Sequence, residues 1–254
     1  MNEQNIRQQK QFRILLIGDT CTDIYQYGTV DRISPEAPVP VFVPVEKVER
    51  EGMAANVYAN LKALGCEVNL LCGHNSKKTR LVDIRSKQQI LRIDEDVKSN
   101  PISIASELPP VYDAIVISDY NKGVVDYQLI EHFAKTATIP VFIDTKKKDL
   151  RSLNGLYIKI NELEYNSATT KAAEEWLITT HGKFGAMYKG VMYPAPDVGE
   201  VTDVCGAGDT FLAALTYKFL QTNDMIQAIE FANKASAITV QHFGNYAPKL
   251  EEIE

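Results

Sequence analysis

The chain has 254 residues, enough for one large α/β domain or one domain with a small appendage, and enough to bury a sizeable core. Apolar residues at 45% and charged residues at 24% are ordinary for a soluble globular protein and argue against disorder. A net charge of −6 without a dense Lys/Arg tract argues against a nucleic-acid surface, and four cysteines without C-x-x-C spacing argue against structural zinc.

The opening MNEQNIRQQKQF has no apolar stretch of the signal-peptide kind, and no later run is long enough to span a bilayer. We therefore expect a cytoplasmic protein with reduced thiols, frayed over residues 1 to about 11. "FRILLIGD" reads as a buried first strand ending at Gly18-Asp19. "VPVFVPVEKVE", with prolines at 38, 40 and 44, suits an edge or flap strand. "AANVYANLKALG" places Val57, Leu61 and Leu64 on one helical face and ends at Gly65. "EVNLLCG" follows as a strand, and "TRLVDI" and "QQILRIDED" as two further half-exposed strands.

From Asp113 the pattern alternates. "AIVISD", a helix near 124–137, "PVFIDT", "LYIKIN" and "EWLITTHG" predict a mainly parallel sheet covered by helices. Ligands of such sheets lie at the carboxyl ends of strands, which here carry Asp19, Asp23, Ser118, Asp119, Asp144, Asn161, Glu164 and Thr180. The basic run Lys146-Lys147-Lys148 reads as a solvated loop or as a contact to a phosphorylated ligand. Two helices, about 208–221 and 223–242, finish the chain.

The informative stretch is "VTDVCGAGDTFLAAL", Val201–Leu215, a glycine-punctuated turn that runs into an apolar helix. Gly206, Ala207 and Gly208 offer unhindered N–H groups at a helix N-terminus, where anions are favoured. Asp209 in the first turn would repel a resting phosphate unless it has a task. One task is to accept the proton of a hydroxyl that attacks a phosphoryl group; the blander reading is an Asp that complements the helix dipole. The sequence contains no G-x-x-x-x-G-K-[ST] loop, and Phe211 stands where a dinucleotide fingerprint needs its third glycine.

Five segments together resemble the ribokinase-like (PfkB) sugar kinases: "GDTCTD", "EGMAAN", "NELE", "THGKFG" and "DVCGAGDTF", in the family's order over about residues 13–246. Within that family "RISPEAPVPVF", "QQILRIDED" and "SDYNKG" are similar to the D-glycero-D-manno-heptose 7-phosphate kinases. The resemblance implies one ribokinase-like domain over 1–254, α/β with a mainly parallel sheet and a small β lid near 28–48 and 79–94. It implies ATP and Mg2+ as cofactors, a sugar phosphate as substrate, and a homodimer formed through the lid. Asp209 would be the base, with Gly206, Ala207 and Gly208 as the anion hole. Asp23, Gly52, Asn56, Arg80 and Asp119 would meet the sugar, Arg80 being equally readable as a surface arginine. Asn161, Glu164, Thr180, Gly182, Gly185, Asn233 and Gly244 would serve the nucleotide, Asn161 and Glu164 holding magnesium through water. Asp203 would either touch a monovalent cation such as K+ or brace the loop.

The pattern departs from the family in three places. Met53 replaces the second glycine of the sugar-binding pair, and either reshapes the pocket or points into the core. Only Gly73–Lys78 separate Cys72 from Thr79, where a helix and a strand are expected, and the stretch between Asn161 and Thr180 is also short of helical cover. Two classes of function therefore stand: an active kinase, for heptose 7-phosphate or within the family for another sugar, and a shortened relative that binds sugar phosphate or nucleotide without turnover.

Overall fold

The computed structural model describes residues 10–103 and 111–254; the expectation for the N-terminus falls mostly on residues outside these. The strands are β1 (Arg13–Ile33), β2 (Pro40–Met53), β3 (Glu67–Asp83), β4 (Gln89–Glu95), β5 (Ala114–Asp119), β6 (Val141–Thr145), β7 (Tyr157–Asn161), β8 (Leu177–Thr180), β9 (Ala186–Tyr188) and β10 (Val191–Tyr193). The helices are α1 (Ala54–Ala63), α2 (Tyr127–Thr136), α3 (Glu162–Ser167), α4 (Ala207–Thr222), α5 (Met225–Thr239) and α6 (Leu250–Ile253). The strands form one sheet in the order β10-β9-β8-β7-β6-β5-β1-β3-β4, with β2 on β1.

The centre of the sheet is parallel, from β3 through β1, β5, β6 and β7 to β8. Within it the first half of β1, with β5 and β6, is buried on both faces because both are covered. Ile14 and Leu16 join the core beneath α1, α4 and α5, while Leu15 and Ile17 join the core beneath α2. Asp126 caps α2 by accepting from Leu129 N at 2.8 Å, and Asp224 caps α5 in the same way. No helix of the described residues is long and apolar enough to cross a membrane.

Two strands are longer than their apolar runs. β1 does not stop at Gly18-Asp19. Over Ile14–Gly18 it pairs with β5, and from Thr20 to Ile33 it pairs on that same side with β2, antiparallel. On its other side β3 follows it from Arg13 to Gly28. "EVNLLCG" and "TRLVDI" are thus one strand, not two, because five intervening residues are too few for a helical crossover and the backbone stays extended. The extension formed by β2, β4 and the far halves of β1 and β3, with β2 and β4 antiparallel to their neighbours, lies where the sequence resemblance implies a lid.

The missing cover has visible consequences. Asn69 and Leu71 of β3 pair with Leu15 and Ile17, so they face the α2 side, yet Leu71 is 38% exposed. After α3 the chain reaches β8 through a loop and a turn without a helix, and Leu163 is 80% exposed.

At Gly18, opposite Ser118 in the β1–β5 pair, an added Cβ would lie 2.2 Å from the Ser118 carbonyl oxygen. A backbone atom cannot swing aside as a side chain can. Gly18→Ala is expected to destabilise the protein by about 3 kcal/mol, read as a lower urea midpoint at unchanged slope.

Candidate functional site

β5 and β2 leave β1 in different directions at Asp19, and the space between them is roofed by the strand-end loops. Asp19, 1% exposed, accepts from the backbone N–H groups of Tyr120 (2.9 Å), Lys122 (3.0 Å) and Val124 (3.3 Å). This carboxylate ties the 120–124 loop over the parting strands. Beside it a cleft of about 250 Å³ is lined by Tyr120, Asp144, Lys146, Lys159, Asn161, Thr180, Gly182, Gly206, Gly208 and Asp209. It lies at the carboxyl ends of β5 to β8 and at the N-terminus of α4, where an α/β sheet offers a ligand site.

Gly206 begins α4 in the left-handed region, at φ 76°, and a Cβ there would lie 2.7 Å from Asn56 Nδ2. Only glycine allows both the turn and the approach of α1. The turn brings Asp209, 5% exposed, into the cleft at the first turn of α4. Asn56 Nδ2 donates to its Oδ2 at 2.9 Å and the Tyr120 hydroxyl to its Oδ1 at 3.0 Å. Burial pushes the Asp209 carboxyl up to about 6; nearby Asp144 pushes the same way, while Asn56, Lys159 and Tyr120 oppose. The group is thus a carboxylate at neutral pH but a stronger base than an ordinary aspartate.

Two lysines, each paired with a carboxylate, share the cleft with Asp209. Lys159 of β7, 3% exposed, donates to Asp144 Oδ2 at 2.6 Å, and a Cβ on Gly208 would lie 2.8 Å from its Nζ. Lys146 pairs with Glu164 and lies 5.2 Å from the Tyr120 ring centroid. Burial works against the Lys146 charge, but Asp144 and Glu164 outweigh it and its pKa is raised. Asn161 and Glu164 form a capping box on α3: Asn161 Oδ1 accepts from Glu164 N at 2.9 Å, and Glu164 Oε2 from Asn161 N at 2.8 Å.

A second group gathers where the lid meets the sheet. Arg80 Nη1 lies 2.5 Å from Asp23 Oδ1 in a pair with 15% and 7% exposed side chains, and the guanidinium covers the Tyr25 ring. Gly52 is opposite Cys21 in β2–β1 pairing, and a Cβ there would meet Asp23 Oδ2 at 2.3 Å. Burial pushes the Cys21 thiol up to about 12, so it stays protonated. Met53 is buried at 4%, does not line the cleft and takes φ 58°, ψ −132°. A side chain in that region costs about 1–3 kcal/mol, which is the physical reason for a glycine at this turn.

Several expected ligand residues are engaged elsewhere. Asp119 is 1% exposed, and its oxygens accept from Thr145 Oγ1 (2.6 Å) and Asn121 N (2.9 Å) with Lys147 Nζ at 3.2 Å. It braces β5 against β6 and is not among the residues that line the cleft. Asn233 donates to the carbonyls of Tyr193 and Pro194, holding α5 to the end of β10. Gly185 closes against the Tyr193 carbonyl, and Gly244 closes against Arg50. None of these three lines the cleft. Asp203 accepts from Cys205 N at 3.0 Å and Gly244 N at 2.9 Å, which is the bracing alternative.

The family described as pfkB family carbohydrate kinase matches residues 124–252, half of the chain and the half that carries α4. The chain belongs to this family. The bifunctional protein HldE of a Nitratiruptor species is 34% identical over 300 aligned positions, covering 95% of this chain and 64% of the relative. The HldE of Helicobacter pylori is 30% identical over 303, covering 95% and 65%. The chain therefore spans less than two thirds of these relatives, and 300 aligned positions against a shorter chain place extra residues in the relative. Among solved structures the ribokinase of Thermotoga maritima matches with TM-score 0.68 at 17% identity, covering 95% of this chain and 98% of that one. The ribokinase of Arabidopsis thaliana complexed with ribose and ATP matches with TM-score 0.71 at 15% identity, covering 96% and 98%. The fold is that of the ribokinases.

Beyond the pfkB motifs, the cleft holds Tyr120 and Lys159, which the sequence reading passed over. Lys159 had a signal: a lysine inside the apolar run "LYIKIN" must be paired if buried, and Asp144 stands at the end of the neighbouring strand. Tyr120 lies in the segment "SDYNKG", but nothing local pointed to its contact with Asp209, which joins a loop to a helix 89 positions away.

A carboxyl raised from 3.8 to about 6 by burial opposes folding above its unfolded pKa, the opposition growing between the two values. Asp209→Asn removes the charge and leaves a side chain that can still bond to Asn56 and Tyr120. In urea melts it should be more stable than wild type at pH 8 by up to about 3 kcal/mol, the difference closing towards pH 4.

Proposed function

We propose that this chain is an ATP-dependent sugar kinase that transfers the γ-phosphoryl group to a hydroxyl of a sugar phosphate. The observation that carries the reading is Asp209: a buried carboxylate with its pKa at about 6, held at the glycine-opened N-terminus of α4 inside the cleft. Its proposed task is to take the proton of the attacking hydroxyl while the first-turn amides from Gly206 to Gly208 receive charge on the transferring group.

Asn161, Thr180 and Gly182 line the side assigned to the nucleotide. Asp23, Gly52, Asn56 and Arg80, with Lys78 on the same face of β3 as Arg80, form the side assigned to the sugar. The heptose 7-phosphate substrate, giving the 1,7-bisphosphate, is supported by the sequence resemblance and by the similarity to the HldE proteins. Asp203 has both oxygens engaged by backbone, so a bracing role is preferred to K+ binding.

No group of three or more His, Cys, Asp or Glu suited to a metal is gathered among the described residues. Glu164 accepts from Asn161 N and pairs with Lys146. That donor set fits a magnesium ion that keeps its water and is held chiefly by nucleotide phosphates, touching Asn161 and Glu164 through water. When bound, the ion neutralises charge on the phosphate oxygens. The exposed Leu91 and Ile93, on the face of β4 opposite Arg92, suit pairing of two lids in a homodimer.

The thinned cover beside β3 and after α3 favours a second reading, a module that binds nucleotide and sugar without turnover. Incubation with Mg-ATP and a panel of sugars and sugar phosphates that includes heptose 7-phosphate, followed by ADP release and product mass, separates the two. A bisphosphate product is expected from wild type, with turnover lowered about 10³-fold or more in Asp209→Asn. Most of the turnover surviving in that variant would sink the mechanism, and ATP binding without ADP release by folded wild type would select the module.

A further inference from the structure

Each oxygen of Asp209 has one fixed donor. Asn56 serves Oδ2 at 2.9 Å, and is itself oriented by Asn60 Nδ2, which donates to its Oδ1 at 3.3 Å and its carbonyl at 2.8 Å. Tyr120 serves Oδ1 at 3.0 Å. The Tyr120 ring sits between two ammonium groups, Lys78 of the lid at 5.8 Å and Lys146 beyond β6 at 5.2 Å from its centroid. Its backbone N–H is held by Asp19 at 2.9 Å. The hydroxyl therefore has little freedom to leave the carboxylate, and it has no structural need of so costly a partner, since a buried phenol can bond to a neutral acceptor instead.

We infer that Tyr120 is a positioning residue for the proton-accepting carboxylate of the proposed kinase, orienting Asp209 and favouring its charged form so that the second lone pair of Oδ1 is left for the substrate hydroxyl. The inference rests on the kinase reading and adds to it a residue outside the glycine loop. Two donors from different elements, α1 and the loop after β5, fix the plane of the carboxylate; one donor alone would leave it free to turn. Burial and the neighbouring Asp209 carboxylate raise the Tyr120 hydroxyl well above its ordinary value, so it remains a donor across the working range.

The groups that set the charge of Asp209 come from every element around it: Asn56 of α1, Cys21 of β1, Tyr120, Asp144 of β6, Lys146, and Lys159 of β7. Of these the Tyr120 hydroxyl can be removed alone, by Tyr120→Phe, without changing volume or formal charge. A donor to the carboxylate lowers its pKa, so the variant should carry a higher one. The acid limb of the kcat profile should move up by about one pH unit, with a loss of about fivefold at pH 6, approaching about tenfold at pH 5, and recovery to within about threefold of wild type at pH 9. KM for ATP should stay within about twofold.

The same shift is read without turnover by carbon-13 NMR of labelled aspartate, the Asp209 signal being the one absent from Asp209→Asn. Should Tyr120→Phe fail to fold, 3,5-difluorotyrosine at position 120 keeps the ring in place and strengthens the donor, and the Asp209 titration should then move down. An Asp209 titration unchanged in both proteins, or a kcat lowered equally at every pH, would overturn the inference and leave the kinase reading standing. Activity surviving in Asp209→Asn would overturn the kinase reading, while the NMR titration would still report whether Tyr120 holds Asp209.

Discussion

The parting of β5 and β2 from β1 is the constraint on which the rest of the molecule depends. A strand that changes partner along one edge leaves a gap of unpaired backbone, and that gap must be filled by groups that satisfy it. Asp19 fills it with one buried carboxylate that accepts from three N–H groups of the 120–124 loop. The same junction sends β1 onward into the lid, starts α1 at the end of β2 and presents Tyr120 to the cleft. Gly18 lies at the last β1–β5 pair because the Ser118 carbonyl comes too close for any Cβ.

The charges of the cleft follow from this geometry. Asp209 is buried by α1, the 120–124 loop and the ends of β6 and β7, and burial raises its pKa. Complete isolation would leave it protonated at neutral pH, which would suit neither a base nor a helix N-terminus. Asn56, Tyr120 and Lys159 hold the value near 6, between those limits. Lys159 is in turn paired with Asp144 at 2.6 Å rather than with solvent. The result is a cleft in which two lysines, each paired with a carboxylate, stand with the Asp209 carboxylate, an arrangement that suits the proposed polyphosphate and hydroxyl.

Elements whose identity depends on local pattern were legible in the sequence. The parallel rhythm after Asp113, the helix opened by Gly206 and the place of Asp209 all follow from periodicity and glycine chemistry within a few residues. The fused β3 was not, because "HNSKK" between two apolar runs has the composition of a turn, and only its pairing with Thr20–Asp23 keeps it extended. Asp119 and Asp144 look equivalent as strand-end carboxylates. They differ through their neighbours: Thr145, Asn121 and Lys147 enclose the first, while the second stands beside Lys159 in the cleft. The pfkB resemblance supplied Gly52 and Asn56, and no spacing rule would have joined Asn56 to Asp209, 153 positions away.

The two shortenings fall where the fold tolerates them. Removing a crossover after Cys72 leaves β3 paired with β1 from Glu67 to Asp83, with one register shift between Gly18 and Thr20, so the lid keeps its place and Arg80 still reaches Asp23. Removing cover after α3 leaves the capping box of Asn161 and Glu164 and the β7–β8 pairing intact. Neither deletion touches α4, the 120–124 loop or the Asp144–Lys159 pair. What is lost is apolar shelter at the rim, as Leu71 and Leu163 attest. Stability rests on burial summed over the whole core, whereas the chemistry of the cleft rests on a few distances set by β1, β5 and α4. A chain can therefore surrender peripheral helices and keep its site, provided that the strands carrying the site stay in register.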